Sequence, residues 1–273
     1  MNRLSRSISH WLCTVSLFLP ILIALGGCQS RASTPVPAAR ISSTPSPNVC
    51  PTTNEGIIEP QCQALVAIYQ KMDGESWQSG VDWLSNQPIC TWNGVTCSGT
   101  NVVKLWIPEH LKGELPPEIG QLISLQELDL GINELTKLPP EMGQLTHLRK
   151  LDLSGNQFSE LPPEIWQLTS LQELKLNMNR LTELPPEIGQ LTNLQELDLR
   201  DNQIMELPPE FGRLTRLQEL WLWHNPLSTL PSELGQLTNL RELRLEGTSV
   251  LELPVEVCLL PELEVYPPDV CAD

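Results

Sequence analysis

From Val102 onward the chain repeats itself every 23 residues, and no other feature limits its possible folds as tightly. Copies begin at Val102, Leu125, Leu148, Leu171, Leu194, Leu217 and Leu240, with a truncated eighth at Leu263. LQELDLRDNQIMELPPEFGRLTR, residues 194 to 216, is representative. Its LxLxx segment alternates leucine with polar residues, which suits a short strand with one buried face. The LPPE segment then supplies proline for the first turn of a helix or a 3₁₀ turn that returns the chain. Each copy carries a ring of aliphatic side chains that only the next copy covers, so stacking is obligatory. The strands are then expected to line up as a parallel sheet on the inner, concave face of an arc, about 4.8 Å apart. At about 1.5 to 3 kcal/mol per buried aliphatic side chain, the stacked leucines dominate the gross stabilisation.

The pattern LxxLxLxxNxL followed by xxLPxxIGxLxx resembles the leucine-rich repeat family across seven consecutive copies. The resemblance implies an α/β solenoid, with a curved parallel sheet inside and short helical or 3₁₀ turns outside. It implies a binding architecture and leaves the ligand open. Asn133, Asn156, Asn179, Asn202 and Asn225 hold the ninth place of the central coils, where an amide satisfies turn backbone. His110 and Thr248 replace it in the end coils. In the first coil Leu111 comes one place early and Lys112 stands where an apolar residue belongs, so this coil is expected to be irregular and partnered by the N-terminal cap. Glu118, Glu141, Glu164, Glu187, Glu210, Glu233 and Glu256 also recur every 23 residues. They are read as favourable charges at the start of short helical turns, not as a cation site.

The N-terminus carries Arg3 and Arg6 and no acid, followed by the apolar run WLCTVSLFLPILIALGG. This is a secretory signal pattern, a little short and Pro-interrupted for a spanning helix, the alternative being an uncleaved N-terminal anchor with an incidental cysteine. Leu25-Gly26-Gly27-Cys28 resembles a bacterial lipobox, which implies cleavage before Cys28 and a lipid-anchored, extracytoplasmic protein in a bacterial envelope or at its surface. QSRASTPVPAARISSTPSPNV, residues 29 to 49, lacks large apolar groups and reads as a tether. The expected organisation is a signal over 1–27, a lipidated tether over 28–49, a disulfide-bonded cap over 50–101, seven repeats over 102–262 and a C-terminal cap over 263–273. Beyond the signal and Cys28 six cysteines remain, Cys50, Cys62, Cys90, Cys97, Cys258 and Cys271, and an even number in an exported chain reads as disulfides.

Residues 62 to 97 carry an apolar helical face, Ala64, Leu65, Ala67, Ile68 and Met72, and the segment CTWNGVTC. This region resembles the N-terminal cap of secreted leucine-rich repeat proteins, notably plant receptor-like kinase ectodomains, through Trp92, Gly94, Val95 and Cys97. The resemblance implies bonds from Cys90 to Cys97 and from Cys50 to Cys62, with Trp77, Trp83 and Trp92 as cap core. A Cys258–Cys271 bond is expected to pin the tail LEVYPPDVC over the last coil.

No catalytic motif accompanies His110, His147 or His224, and no cysteine pair has zinc-ligand spacing, so neither an enzyme nor a metal or other cofactor is expected. A net charge of −16 argues against a nucleic-acid partner. Function therefore falls to the outward places of the strands. In the middle coils these are polar and rich in acid, and in the sixth ELWLWHNPL sets Trp221 and Trp223 on the open face around buried Leu222. Register brings Arg200 beside Trp223 and Arg244 beside Trp221, with His224 adjoining. Trp and Arg are enriched at binding centres, which makes Arg200, Trp221, Trp223, His224 and Arg244 the expected contact set. The alternative for the aromatics is simple stacking under the arginines. Trp106 is a possible second contact or a buried neighbour of the cap. The expected protein is a monomeric lipoprotein that binds a protein or peptide ligand. Glycan binding, or an envelope scaffold or adhesin without a single ligand, is the alternative.

Overall fold

The computed structural model describes Cys50 and residues 59–77, 82–85, 87–107 and 111–271. The expected signal, the Cys28 lipid site, the tether, Pro108 and His110 lie outside the described residues. Among the described residues no helix is long and apolar enough to cross a membrane.

Eleven strands follow one another in the described chain: β1 (Val95–Ser98), β2 (Asn101–Trp106), β3 (Lys112–Glu114), β4 (Glu127–Asp129), β5 (Glu134–Lys137), β6 (Lys150–Asp152), β7 (Glu173–Lys175), β8 (Glu196–Asp198), β9 (Glu219–Trp221), β10 (Glu242–Arg244) and β11 (Glu264–Tyr266). Nine form one sheet in the order β1-β2-β4-β6-β7-β8-β9-β10-β11. From β2 to β10 every pairing is parallel and in the register that the 23-residue period dictates, Leu105 beside Leu128, Leu128 beside Leu151 and so on to Leu220 beside Leu243. β11 also pairs in parallel but one residue short of the period, with Leu243 beside Val265, so the truncated copy expected from Leu263 is shifted by one place. Those central leucines are at most 1% exposed. Each proline pair leads into a 3₁₀ turn on the opposite side, as at Pro117–Gln121 and Pro186–Gln190.

Between strand and turn the asparagines form a ladder. Asn202, 7% exposed, accepts from the Leu181 amide and donates to the carbonyls of Leu176 and Leu199, so one side chain ties its own turn to the preceding coil. Asn133, Asn156, Asn179 and Asn225 make the same bonds. Thr248 is too short to repeat this and bonds within its own turn, to the Leu245 carbonyl.

The ends depart from the repeat. β1 runs antiparallel to β2 and closes the first edge, a strand that the repeat pattern does not contain. Leu111 takes the buried place in the first coil, which turns Lys112 outward; β3 pairs with β5 in a separate two-stranded sheet, and Lys112 meets Glu134 at 3.4 Å. Helix α1 (Glu59–Lys71) packs on the turn Pro117–Gln121 and joins it through Lys71 and Glu118 at 2.7 Å. Gln61, 2% exposed, accepts from the Val102 amide and donates to Asn101, fixing the helix to β2. Tyr69, Trp77, Trp83 and Trp92 pack ring against ring, and the three indoles are at most 5% exposed. Disulfides join Cys50 to Cys62, Cys90 to Cys97 and Cys258 to Cys271.

Candidate ligand-binding face

Strand alternation sends the third and fifth places of each coil to the open sheet face, while the seventh stands at its margin. The fifth places run Trp106, Asp129, Asp152, Lys175, Asp198, Trp221, Arg244 across successive strands, and Tyr266 on β11 continues the row beside Arg244. Trp221 and Trp223 are both half-buried, and Leu222 between them is fully buried.

Trp223 is the better equipped of the pair. The Arg200 guanidinium lies over its ring at 5.2 Å, and the His224 imidazole packs beside it at 4.8 Å. His224 is exposed and in turn meets Asp201 at 2.8 Å through Nδ1. Its backbone is left-handed, φ 55°, as at the other eighth places of the repeat, Ile132, Gly155, Met178, Asp201 and Gly247.

Arg244 departs from the sequence expectation. It is the register neighbour of Trp221, yet its guanidinium turns the other way and sits over the Tyr266 ring at 4.8 Å. Glu242 explains the turn, because its Oε1 accepts both from Arg244 Nε and, at 3.2 Å, from Trp221 Nε1. Arg244 also meets Glu246 at 3.5 Å. Trp221 therefore carries no cation on its ring from Arg244, and Tyr266 is a site residue that the sequence reading missed. The period hid it: counted from Leu263 the fifth place is Pro267, and only the one-residue shift of β11 brings Tyr266 beside Arg244.

Asp198 was missed as well. It stands at an outward place and is only 2% exposed, in register between Lys175 and Trp221. Its Oδ1 accepts from the Arg200 amide, while Oδ2, 3.1 Å from Arg200 Nε, lacks hydrogen-bond geometry. Burial pushes its carboxyl up to about 6, against the opposing pull of the Arg200 amide and of Arg200 and Lys175. Trp106, at 46% exposure, is open to solvent and not buried against the cap.

Across β4, β6 and β7 the face forms a shallow groove of about 130 Å³ lined by Glu127, Asp129, Lys150, Asp152, Glu173 and Lys175. Lys150 and Lys175 both bind Glu173, and Lys104 meets Glu127, while Asp129 and Asp152 have no ion pair among the described residues. Ser154 donates to Asp152, and among the described residues no histidine bonds to it. Among the described residues no group of His, Cys, Asp or Glu is arranged to hold a metal. The arrangement offers aromatic, cationic and anionic contacts on a sheet whose leucines are buried.

The leucine rich repeat model matches residues 123–181, 169–227 and 192–250, and the leucine rich repeat N-terminal domain model matches residues 58–98. The chain belongs to the leucine-rich repeat family. Over 74 residues it is 35% identical to a probable inactive leucine-rich repeat receptor-like protein kinase of Arabidopsis thaliana, a stretch that spans 26% of this chain and 11% of the relative. Its fold is similar to that of a chain in the PEPR1–AtPEP1 crystal structure, with a TM-score of 0.66 and 30% identity over 77% of this chain and 31% of the other. It is also similar to the ectodomain of the Arabidopsis thaliana membrane receptor kinase GASSHO1/SCHENGEN3, in complex with CASPARIAN STRIP INTEGRITY FACTOR 2, with a TM-score of 0.61 and 26% identity over 77% and 29%. The chain spans less than a third of the length of each of these relatives.

Proposed function

We propose that this protein is a non-enzymatic recognition module, held outside the cytoplasm by a lipid on Cys28, that binds a protein or peptide partner through its open sheet face. The observation that carries this reading is the cluster at β8 to β10. There Arg200, Trp223 and His224 adjoin one another, beside Trp221, on strands whose leucines are locked in the core. A rigid backbone bearing half-exposed Trp and Arg loses little entropy on binding, and such residues dominate measured binding energies. The two similar structures, solved as PEPR1–AtPEP1 and with CASPARIAN STRIP INTEGRITY FACTOR 2, support a partner of this kind. Three disulfides support an oxidising location, and Leu25-Gly26-Gly27-Cys28 supports the lipid anchor.

The test is selection of short random peptides by display on the full chain, with a glycan array probed in parallel. Peptide binders that weaken about tenfold or more with Trp221→Ala/Trp223→Ala, and also with Arg200→Ala, support the reading. Circular dichroism and thermal melting show whether each variant is folded. Retention on glycans alone overturns it in favour of a carbohydrate-binding face, and binders indifferent to all three changes overturn the site. Mass spectrometry of the membrane fraction tests the anchor, which requires a lipidated peptide beginning at Cys28.

A further inference from the structure

The third places of the coils run Lys104, Glu127, Lys150, Glu173, Glu196, Glu219, Glu242 across the sheet, and β11 sets Glu264 beside Glu242, so five glutamates stand side by side on adjacent strands. Like charges directly opposite in a sheet destabilise it, and most of this column is compensated. Glu173 is held by Lys150 and Lys175, Glu242 by Arg244 and Trp221 Nε1, and Glu264 by the Tyr266 hydroxyl. Glu196 and Glu219, direct register partners, have neither an ion pair nor a side-chain hydrogen bond among the described residues. Both are half-buried, which weakens the screening that makes exposed acidic columns harmless. Burial raises the Glu219 carboxyl, and the charges of Glu196, Glu242 and Glu173 raise it further.

Two more groups adjoin this pair. At the next outward places of the same strands stand Asp198 and Trp221, themselves register partners. The Asp198 carboxyl is 2% exposed; its Oδ1 accepts from the Arg200 amide, and its Oδ2 lies 3.1 Å from Arg200 Nε without a hydrogen bond. The Trp221 ring is half-buried and is not stacked by Arg244, which lies over Tyr266. The four side chains thus make a two-by-two patch with an aromatic corner, in which Arg200 pairs with Asp198 while Glu196 and Glu219 have no ion pair among the described residues. A guanidinium or ammonium group fits this patch, since it pairs with carboxylates and stacks on an indole face.

We infer that Glu196, Glu219, Asp198 and Trp221 form a subsite for a lysine or arginine side chain of an extended partner segment. The inference rests on the peptide-binding reading above and adds the chemistry the partner must present. The repulsion between the two glutamates is a standing cost in the free protein that an incoming cation removes.

The experiment sequences the peptides selected on the full chain and measures their affinity for the Glu196→Gln/Glu219→Gln variant. Lys or Arg should recur at one position of the binders. The variant should lose about tenfold or more in affinity for them, with a smaller loss for analogues carrying norleucine at that position. The same variant, without ligand, should melt at a higher temperature than the wild type. Binders that depend on Arg200 and Trp223 but show no basic position, and bind the variant unchanged, overturn the subsite and leave the peptide-binding reading intact. A lower melting temperature for the variant overturns it too, because the glutamates are then structural. So does a rise in wild-type melting temperature with calcium chloride alone that the variant lacks, which makes the cation a metal. Failure to select any peptide overturns the subsite together with the reading beneath it.

Discussion

At the scale of single residues, the asparagine ladder shows how much one polar side chain carries in a stack of leucines. Asn202→Ala leaves the Leu181 amide and the carbonyls of Leu176 and Leu199 without their partner in a buried turn. Losing it should cost about 3 kcal/mol, read by denaturant unfolding. The eighth place makes the opposite case. Ile132 is β-branched, 80% exposed and left-handed at φ 55°, a conformation that L-residues of its kind avoid. Ile132→Asn should therefore stabilise the chain by about 1 kcal/mol in the same measurement. Asp198 sets a pH dependence. Its folded carboxyl, pushed up to about 6, keeps a proton that the unfolded chain releases near pH 4. The stability due to that proton is full below about pH 4 and is lost as pH rises towards 6, about 3 kcal/mol in all. Asp198→Asn should lose less stability than the wild type between pH 4 and pH 6; identical profiles would show that burial does not hold the proton.

At the scale of the element, neighbouring turns meet at a glycine. A Cβ added at Gly189 would lie 2.7 Å from the Glu210 carbonyl oxygen, and Gly120 and Gly212 face the same contact one coil on. Gly189→Ala should cost about 1 to 3 kcal/mol by thermal melting. Trp166 occupies this place in the third coil, and its turn packs less closely on the following one, Pro186–Gln190, than the other neighbouring turns pack on each other. Cys258 occupies it in the seventh, where α2 (Val255–Cys258) faces no further turn of this kind and the thiol is free to reach Cys271. Period and alternation made the strands, the turns, the ladder and the direction of Trp221 and Trp223 legible in the sequence, because each follows from backbone geometry. Where Arg244 swings was not legible. Register places its Cα beside Trp221, but a long side chain is aimed by competing partners, here Glu242 and Tyr266. The burial of Asp198 depends on such choices in the same way. β1 lies outside the repeat, so the repeat could not foretell it.

At the scale of the whole described chain, stability passes from coil to coil and the ends decide whether the stack holds. The first end is closed by α1, β1 and the aromatic cluster, and the last by β11 and the Cys258–Cys271 bond. That bond closes a loop of sequence separation 13, and Cys258→Ala/Cys271→Ala should lower stability by about 3 kcal/mol, checked by denaturant unfolding of the oxidised protein. Held at both ends, the sheet presents an aromatic and basic cluster beside strands whose leucines are buried in the core, which is the basis for reading this face as the site of recognition. Titration calorimetry of the best selected peptide tests that claim most directly, comparing Arg200→Ala/Trp223→Ala on the sheet face with Glu187→Gln/Glu210→Gln on the opposite turns. A loss of about tenfold or more for the first and none for the second is the predicted result; equal losses, or a loss confined to the second, would contradict it.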